Sequence, residues 1–250
     1  MTELQTRFTT EGLVIKEMNV GESDRLVTLF TREYGIIKAF APGAKSIKSK
    51  KGTATSLLTY SSFPIVRKGK TLRIYEAVPQ VTFFALGADI EILSLSQYFC
   101  ELCLVFGEEN TPNVEFLRII LNSLHFLTKE KRFPTLIKAI TELRIASVSG
   151  YSPNLVACMG CGCFEADVMY FRIDDGSLWC EDCRENGEYL TLDRTLLSAM
   201  RHIVYSELNK LYSFEIPEKS AERLSQITEK YITVQTDYRF SALEFYNSVK

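Results

Sequence analysis

Arg25-Leu-Val-Thr-Leu-Phe-Thr31 is a short run that alternates between apolar and polar side chains, as half-buried β-strands do. The run Ile36–Ala41 follows it after a turn at Tyr34-Gly35, and similar runs occur at 10–17, 57–64 and 71–78. Five short strands in the first 80 residues predict a small closed barrel such as the OB-fold. An SH3-like barrel or a sandwich agrees with the strand count as well.

The apolar spacing becomes helical from about Phe83. Apolar residues recur at three- and four-residue steps from 92 to 106. A second helix is predicted to start with Thr111 as its cap and Pro112 at its first position. Further helices are predicted at 134–150, opened by Pro134, at 193–211, capped by Asp193, at 217–231 and near 241–248. We therefore predict an α+β protein with an OB-fold β-barrel at residues 1–80. Residues 81–250 are predicted to form a helical bundle with a four-cysteine zinc finger inserted at 155–190.

Composition limits the class of protein. The chain has 250 residues, 46% of them apolar, and no apolar run approaches the ~20 residues of a membrane-spanning helix. The first ten residues lack the apolar segment of a signal peptide, so we expect a cytoplasmic protein that does not bind membranes. In that reducing compartment, seven cysteines indicate metal ligands or buried thiols rather than disulfides.

Two CxxC pairs form the most specific motif. Cys158-Met-Gly-Cys161 and Cys180-Glu-Asp-Cys183 have the spacing of a two-knuckle zinc site, and the residues between them are typical of a strand, a turn and a strand. Four cysteine ligands leave no coordination position for water, so we predict structural Zn²⁺. Cys163 is a competing ligand for Cys161, and disulfides or unmetallated thiols are the alternatives. Cys100-Glu-Leu-Cys103 lies in a helical stripe and is interpreted as core packing.

Positive charge is concentrated at the front of the chain. Residues 1–80 carry 13 Lys and Arg against 7 acidic residues, and residues 32–75 carry ten against Glu33 alone. This balance predicts nucleic-acid binding through phosphates, without sequence preference. A solvated, disordered loop is the alternative for the lysines. The candidate nucleic-acid-binding residues are Arg25, Arg32, Lys38, Lys45, Lys48, Lys50, Lys51, Arg67, Lys68, Lys70 and Arg73.

The sequence contains none of the motifs of common catalytic sites. It has no phosphate-binding loop, no nucleophile elbow and no HExxH, and both histidines, His125 and His202, lie in helical stretches. We predict that the protein is not an enzyme and has no catalytic residue. A metal-dependent nuclease is a rival interpretation, as is an RNA-binding barrel with a structural zinc module.

Several segments resemble the RecO family of bacterial recombinational repair proteins. Gly21-Glu-Ser-Asp-Arg-Leu26, Thr31-Arg-Glu-Tyr-Gly35 and Ala41-Pro-Gly-Ala-Lys-Ser46 resemble its N-terminal signature. Gly150-Tyr-Ser-Pro153 followed by the first CxxC pair resembles a second family segment, and the second pair continues in register. The resemblance spans essentially the whole chain, although the C-terminal third matches only in its helical pattern.

The resemblance implies an OB-fold, a helical domain and a four-cysteine zinc finger. It also implies binding of single- and double-stranded DNA, annealing of complementary strands, and an association with the nucleoid. RecR and the C-terminal tail of single-stranded-DNA-binding protein are the implied partners in loading recombinase. Because that tail is acidic and apolar, it calls for a basic groove in the helical domain, where Lys138 and Arg144 are candidates.

Overall fold

The computed structural model describes residues 6–46, 49, 51–83, 89–129 and 133–250. The chain divides into two compact units, one formed by 1–128 with 241–250 and the other by 129–240. Each unit is described by itself below. The α+β fold class is confirmed, whereas the domain division at residue 80 stays a prediction.

Six strands form the sheet of the first unit in the residues that the structure describes. Their bounds are β1 Thr6–Val20, β2 Asp24–Thr31, β3 Gly35–Ala41, β4 Thr59–Lys68, β5 Thr71–Ile74 and β6 Val78–Thr82. The sheet order is β1-β2-β3-β5-β4-β6, and β1 also pairs with β4. This extra pairing links the first five strands in a closed circuit, with β3 and β5 parallel and the other pairs antiparallel. The arrangement is that of the predicted OB-fold.

Alternation along the strands explains the core of this sheet. Side chains on one face, including Val14, Leu29, Phe63 and Ile65, are fully or almost fully buried, because successive residues of a strand point to opposite faces. The long strand β1 pairs with both β2 and β4, and its register with β2 shifts between Val14 and Lys16. The predicted strand 71–78 is in fact two strands, because residues 75–77 leave the ladder.

The described part of the first unit contains three helices: α1 Ile90–Phe106, α2 Val114–Lys129 and α6 Ser241–Val249. Asp89 caps α1 by accepting bonds from the N–H groups of the first turn. The prediction that Thr111-Pro112 starts α2 is wrong. Asn113 occupies the start instead, and its side chain accepts from the Phe116 N–H at 3.0 Å.

From residue 133 onward, the second unit combines three helices with a small sheet. The helices are α3 Pro134–Val148, α4 Arg194–Tyr205 and α5 Glu218–Thr236, and the antiparallel strands are β7 Val168–Arg172, β8 Ser177–Trp179 and β9 Tyr189–Asp193. Pro134 opens α3 and Asp193 caps α4, as predicted. Helix α4 ends at Tyr205, earlier than the predicted 211, because Ser206 adopts an extended conformation. The cysteine-rich segment lies between α3 and α4.

A buried charge network joins α3 to α5. The Lys138 side chain is fully buried, and its Nζ lies 3.0 Å from Glu142 Oε1 and 2.8 Å from Glu229 Oε2. Glu142 Oε2 accepts from the Thr228 hydroxyl at 2.6 Å. The network fixes which faces of the two helices meet, since each polar atom requires its partner in a buried environment.

Among the helices in the described parts of the chain, none combines the length and the apolarity that crossing a membrane requires.

Candidate metal centre and nucleic-acid interface

Four cysteine sulfurs converge in the second unit. The Sγ atoms of Cys158, Cys161, Cys180 and Cys183 all lie within 4.8 Å of one another, and those of Cys161 and Cys180 are 3.7 Å apart. Tetrahedral zinc with bonds of about 2.3 Å would hold its sulfurs roughly 3.8 Å apart. The four residues predicted from the CxxC spacing are therefore placed to hold one metal ion.

Backbone hydrogen bonds shape the two CxxC turns, which we call the first knuckle (158–161) and the second knuckle (180–183). In the first knuckle the Gly162 N–H donates to the Cys158 carbonyl at 2.9 Å, and Gly162 has a φ of 74°. This left-handed conformation favours glycine. In the second knuckle the Cys183 N–H donates to the Cys180 carbonyl at 3.2 Å. Each CxxC pair therefore closes into a tight turn that directs both sulfurs to one side.

The hairpin of β7 and β8 brings the two knuckles together. Its strands pair Tyr170 with Trp179, and the Met159 N–H of the first knuckle donates to the carbonyl of Leu178 in β8 at 2.8 Å. The backbone N–H of Cys180 lies 3.3 Å from Cys158 Sγ. The predicted sequence of strand, turn and strand is thus what unites ligands 22 positions apart.

Gly160 stands where the two knuckles are in closest contact. A Cβ atom at this position would lie 2.6 Å from Cys183 Cβ and 2.9 Å from Cys183 Sγ. Real Cβ atoms do not approach other atoms so closely, so a larger residue would push the second knuckle away.

The environment of the first knuckle favours thiolate. Burial opposes ionisation of Cys158, but the N–H groups of Cys161, Cys180 and Gly160 outweigh it and lower the pKa of Cys158 to about 6. Burial and the neighbouring Cys161 side chain raise the pKa of Cys163 to about 11. The N–H group of Cys163 lowers the pKa of Cys161, the ligand with which Cys163 competes. Cys163 also lies outside the group of four converging sulfurs.

A basic groove of about 630 Å³ crosses the barrel in the first unit. Its lining includes Arg7 of β1, Lys68 of β4 and Arg73 of β5, together with the exposed Tyr75. Arg7 and Arg73 pair with Val66 from opposite sides of β4, so their side chains share one outer face. Neighbouring strands are about 4.8 Å apart, which places these two arginines roughly 10 Å from each other.

Other predicted basic residues are exposed elsewhere on the barrel. Lys70 and Arg67 line a second groove with Lys38, whose Nζ forms an ion pair with Glu109 at 2.8 Å. Arg32 is exposed and lies 3.8 Å from Glu11, and Lys45 is exposed. Lys48 and Lys50 lie outside the described residues.

Two predicted contacts are engaged inside the protein instead. The Arg25 side chain is only 14% exposed; its Nη1 lies 3.3 Å from Glu17 Oε2 and donates to the Gly52 carbonyl at 3.1 Å. Lys51 Nζ donates to the carbonyls of Ile74 and Tyr75 at 3.4 and 3.3 Å, and burial lowers the pKa of Lys51. Both side chains tie the loop that follows β3 to the barrel.

The helical candidates for tail binding are engaged as well. The choice of Lys138 is wrong, because its ammonium is fully buried in the α3 and α5 network. Arg144 Nη1 donates to the carbonyls of Ile203 and Val204 at the end of α4. Both charged groups bind other parts of the second unit, so neither lines the predicted tail-binding groove.

Sequence reasoning missed Arg7 and Tyr75. Arg7 was placed before the first strand, but β1 begins at Thr6 and pairs with the basic end of β4. Only this long-range pairing shows that Arg7 lies near the basic residues of β4 and β5. Tyr75 could have been found, because it lies within the predicted strand 71–78, two residues after Arg73.

Comparison with known proteins places the chain among relatives. The family described as Recombination protein O N terminal matches residues 4–84, and the family described as Recombination protein O C terminal matches residues 87–243. A protein named DNA repair protein RecO from Acetivibrio thermocellus is 33% identical over 238 residues, which cover 94% of each chain. Proteins of the same name from Alkaliphilus metalliredigens and Caldicellulosiruptor bescii are 27% and 26% identical, over 94% and 96% of this chain and 96% and 98% of theirs. The chain therefore belongs to the RecO family of DNA repair and recombination proteins.

Proposed function

We propose that this chain is a non-enzymatic mediator of recombinational repair that binds DNA in the basic groove of its barrel. It binds single- and double-stranded DNA without sequence preference and anneals complementary strands. With RecR, it helps to load recombinase onto DNA covered by single-stranded-DNA-binding protein, whose C-terminal tail it binds. The observation that carries the DNA-binding part is the groove of Arg7, Lys68 and Arg73 beside Tyr75.

The chemistry of the groove suits a nucleic-acid strand. Arginine and lysine neutralise phosphates and release the counterions held around them. Tyr75 is 53% exposed and offers a ring on which a base can stack, whatever its sequence. The Phe8 ring also lines the groove, and the Arg67 guanidinium lies 5.8 Å from its centroid. Phosphate contacts and stacking together support binding that does not read sequence.

We also propose that the four converging cysteines hold Zn²⁺ for structural purposes. Four thiolates fill a tetrahedral shell, so a bound ion has no site for a reacting water. The ion would supply folding free energy to a finger with a small apolar core. Zinc analysis of the purified protein should give one ion per chain, and a chain that binds no zinc would refute this part of the proposal.

The DNA interface is tested by removing groove charges. We expect the triple variant Arg7→Gln, Lys68→Gln, Arg73→Gln to bind a labelled 30-nucleotide single strand more weakly in fluorescence anisotropy. In a plot of log affinity against log salt concentration, its slope should be shallower by about 2, because each lost phosphate contact removes about 0.7 for single strands. Lys16→Gln is the matched control, since Lys16 is exposed on β1 outside the groove.

Identical slopes for the wild type and the triple variant would refute the groove as the DNA site. The same assay with an RNA strand, and annealing of complementary DNA and RNA pairs, separates this function from an RNA-binding barrel. Faster annealing of DNA strands supports the proposal, and annealing of RNA alone contradicts it. Labelled DNA incubated with Mg²⁺ or Mn²⁺ and the protein should remain intact.

A further inference from the structure

A guanidinium from α4 binds the chain on both sides of the first cysteine knuckle. Arg201 Nε donates to the Leu155 carbonyl at 2.8 Å, and Nη2 donates to the Val156 carbonyl at 3.0 Å. The same Nη2 donates to the Phe164 carbonyl beyond the knuckle. The guanidinium also lies over the Phe164 ring, with Cζ 3.9 Å from the centroid.

A second side chain of α4 extends this contact. The Tyr205 hydroxyl accepts the Leu155 N–H at 3.0 Å. Tyr205 follows Arg201 by four residues, so both side chains project from one face of the helix. The segment that leads into Cys158 is therefore held through its N–H group and through two successive carbonyls.

The positions of these acceptors matter for the metal site. Leu155 and Val156 precede Cys158, and Phe164 follows Cys161 by three residues. A group that binds both ends of a short loop removes much of the conformational freedom that the loop would lose on binding metal. A planar guanidinium carries several N–H donors in a fixed geometry and can bridge such acceptors, whereas lysine offers a single ammonium on a flexible stem.

We propose that Arg201 is a positioning residue for the metal site, which arranges Cys158 and Cys161 before the ion binds although it touches neither the ion nor a ligand sulfur. The inference rests on the proposed zinc site. Because linkage is reciprocal, metal binding also strengthens the attachment of the knuckle to α4. The finger and the helix thus act as one unit that depends on the metal.

Arg194 provides the matched control. It lies on the same helix and also reaches the finger, since its guanidinium lies 2.9 Å from Asp167 Oδ1 and 3.7 Å from Glu165 Oε1. Its side chain is 66% exposed, and exposed ion pairs of this kind contribute little. Arg194→Gln therefore removes a charge between α4 and the finger without removing the bridge over the knuckle.

The test measures zinc affinity by competition with a chromophoric chelator on the full chain, for the wild type, Arg201→Lys, Arg201→Gln and Arg194→Gln. Substitution of residues that orient metal ligands typically weakens affinity about 10- to 100-fold. We expect at least about a tenfold loss for both Arg201 variants, and a change of no more than about twofold for Arg194→Gln. The thiolate absorption of the Co²⁺-loaded protein should also form at higher metal concentration in the Arg201 variants, with unchanged helical circular dichroism.

Wild-type affinity in Arg201→Lys and Arg201→Gln would overturn the positioning role while leaving the zinc site standing. A wild-type chain that binds neither Zn²⁺ nor Co²⁺ through thiolates would instead overturn the zinc proposal itself. Should Arg201→Gln lose its helical signal, Arg201→Lys decides the question, because it keeps the charge and loses only the planar fork. An equal loss in Arg194→Gln would also contradict the assignment.

Discussion

Removing the buried ammonium of Lys138 should strongly destabilise the second unit. In Lys138→Met, Glu142 loses its cation at 3.0 Å while its side chain stays fully buried. The bond from Thr228 remains, but a buried carboxylate that has lost its cation is still costly. Glu229 is less affected, because its side chain is 31% exposed and regains water.

The magnitude follows from the burial of the pair. Breaking a buried ion pair by removing one partner costs about 3–5 kcal/mol. For a chain of this size, each kcal/mol shifts the melting temperature by about 2–4 °C, so the expected drop is roughly 6–20 °C. Removing both charges should cost much less, since apolar replacements of buried pairs are often neutral or stabilising.

The assay is urea unfolding followed by tryptophan fluorescence. Trp179 is the single tryptophan of the chain and lies in β8 of the second unit, so its signal reports on that unit. The double variant Lys138→Met/Glu142→Leu tests whether the free energy of unfolding recovers when both charges are removed. Lys230→Met is the control, because Lys230 lies on α5 and forms an exposed pair with Glu188. A loss below about 1 kcal/mol in Lys138→Met, or a double variant as unstable as the single one, would refute the argument.

Two further predictions concern the cysteines and the knuckle. Burial raises the pKa of Cys100 to about 12 and that of Cys103 well above its usual value, so both remain neutral thiols in the folded chain. In the unfolded chain the same two thiols ionise near pH 9. Because the folded chain holds these protons more tightly, its stability falls as the pH rises above 9. At pH 8, an aromatic disulfide reagent added after metal chelation should therefore label five thiols and reach the other two only in urea, and six or seven fast thiols would contradict this. Gly160→Ala should weaken zinc binding, because its Cβ would clash with the second knuckle. Gly187→Ala is the control and should leave zinc binding unchanged, since its Cβ would meet only a tyrosine ring at 3.3 Å. Equal zinc affinities of the two variants in the chelator competition would show that the knuckles can separate without loss of zinc binding.

Local patterns predicted the elements well, because local physics determines them. The strand runs, the proline that opens α3 and the Asp193 cap were read from neighbouring residues and are present. The two CxxC pairs were equally readable, since each turn is local and the intervening hairpin unites them. The break between β5 and β6 was missed, because residues 75–77 carry no glycine or proline to mark it.

The fate of individual charges was harder to predict. Arg25 and Lys138 look like any basic residues in the sequence, but their partners are distant along the chain. Arg25 binds Gly52, 27 residues away, and Lys138 binds Glu229 on another helix. Whether a basic side chain faces solvent or completes a buried network depends on such tertiary pairings, which a count of charges does not contain.

The same reasoning explains why the net charge of −2 does not argue against DNA binding. The finger segment 155–190 holds eight acidic residues and two arginines, whereas residues 32–75 hold ten basic residues and one acid. A phosphate responds to charges within about a Debye length, ~8 Å at physiological salt, and hardly to the total. If the barrel groove binds DNA as proposed, the charges that line it determine the affinity, and the total charge of the chain matters little.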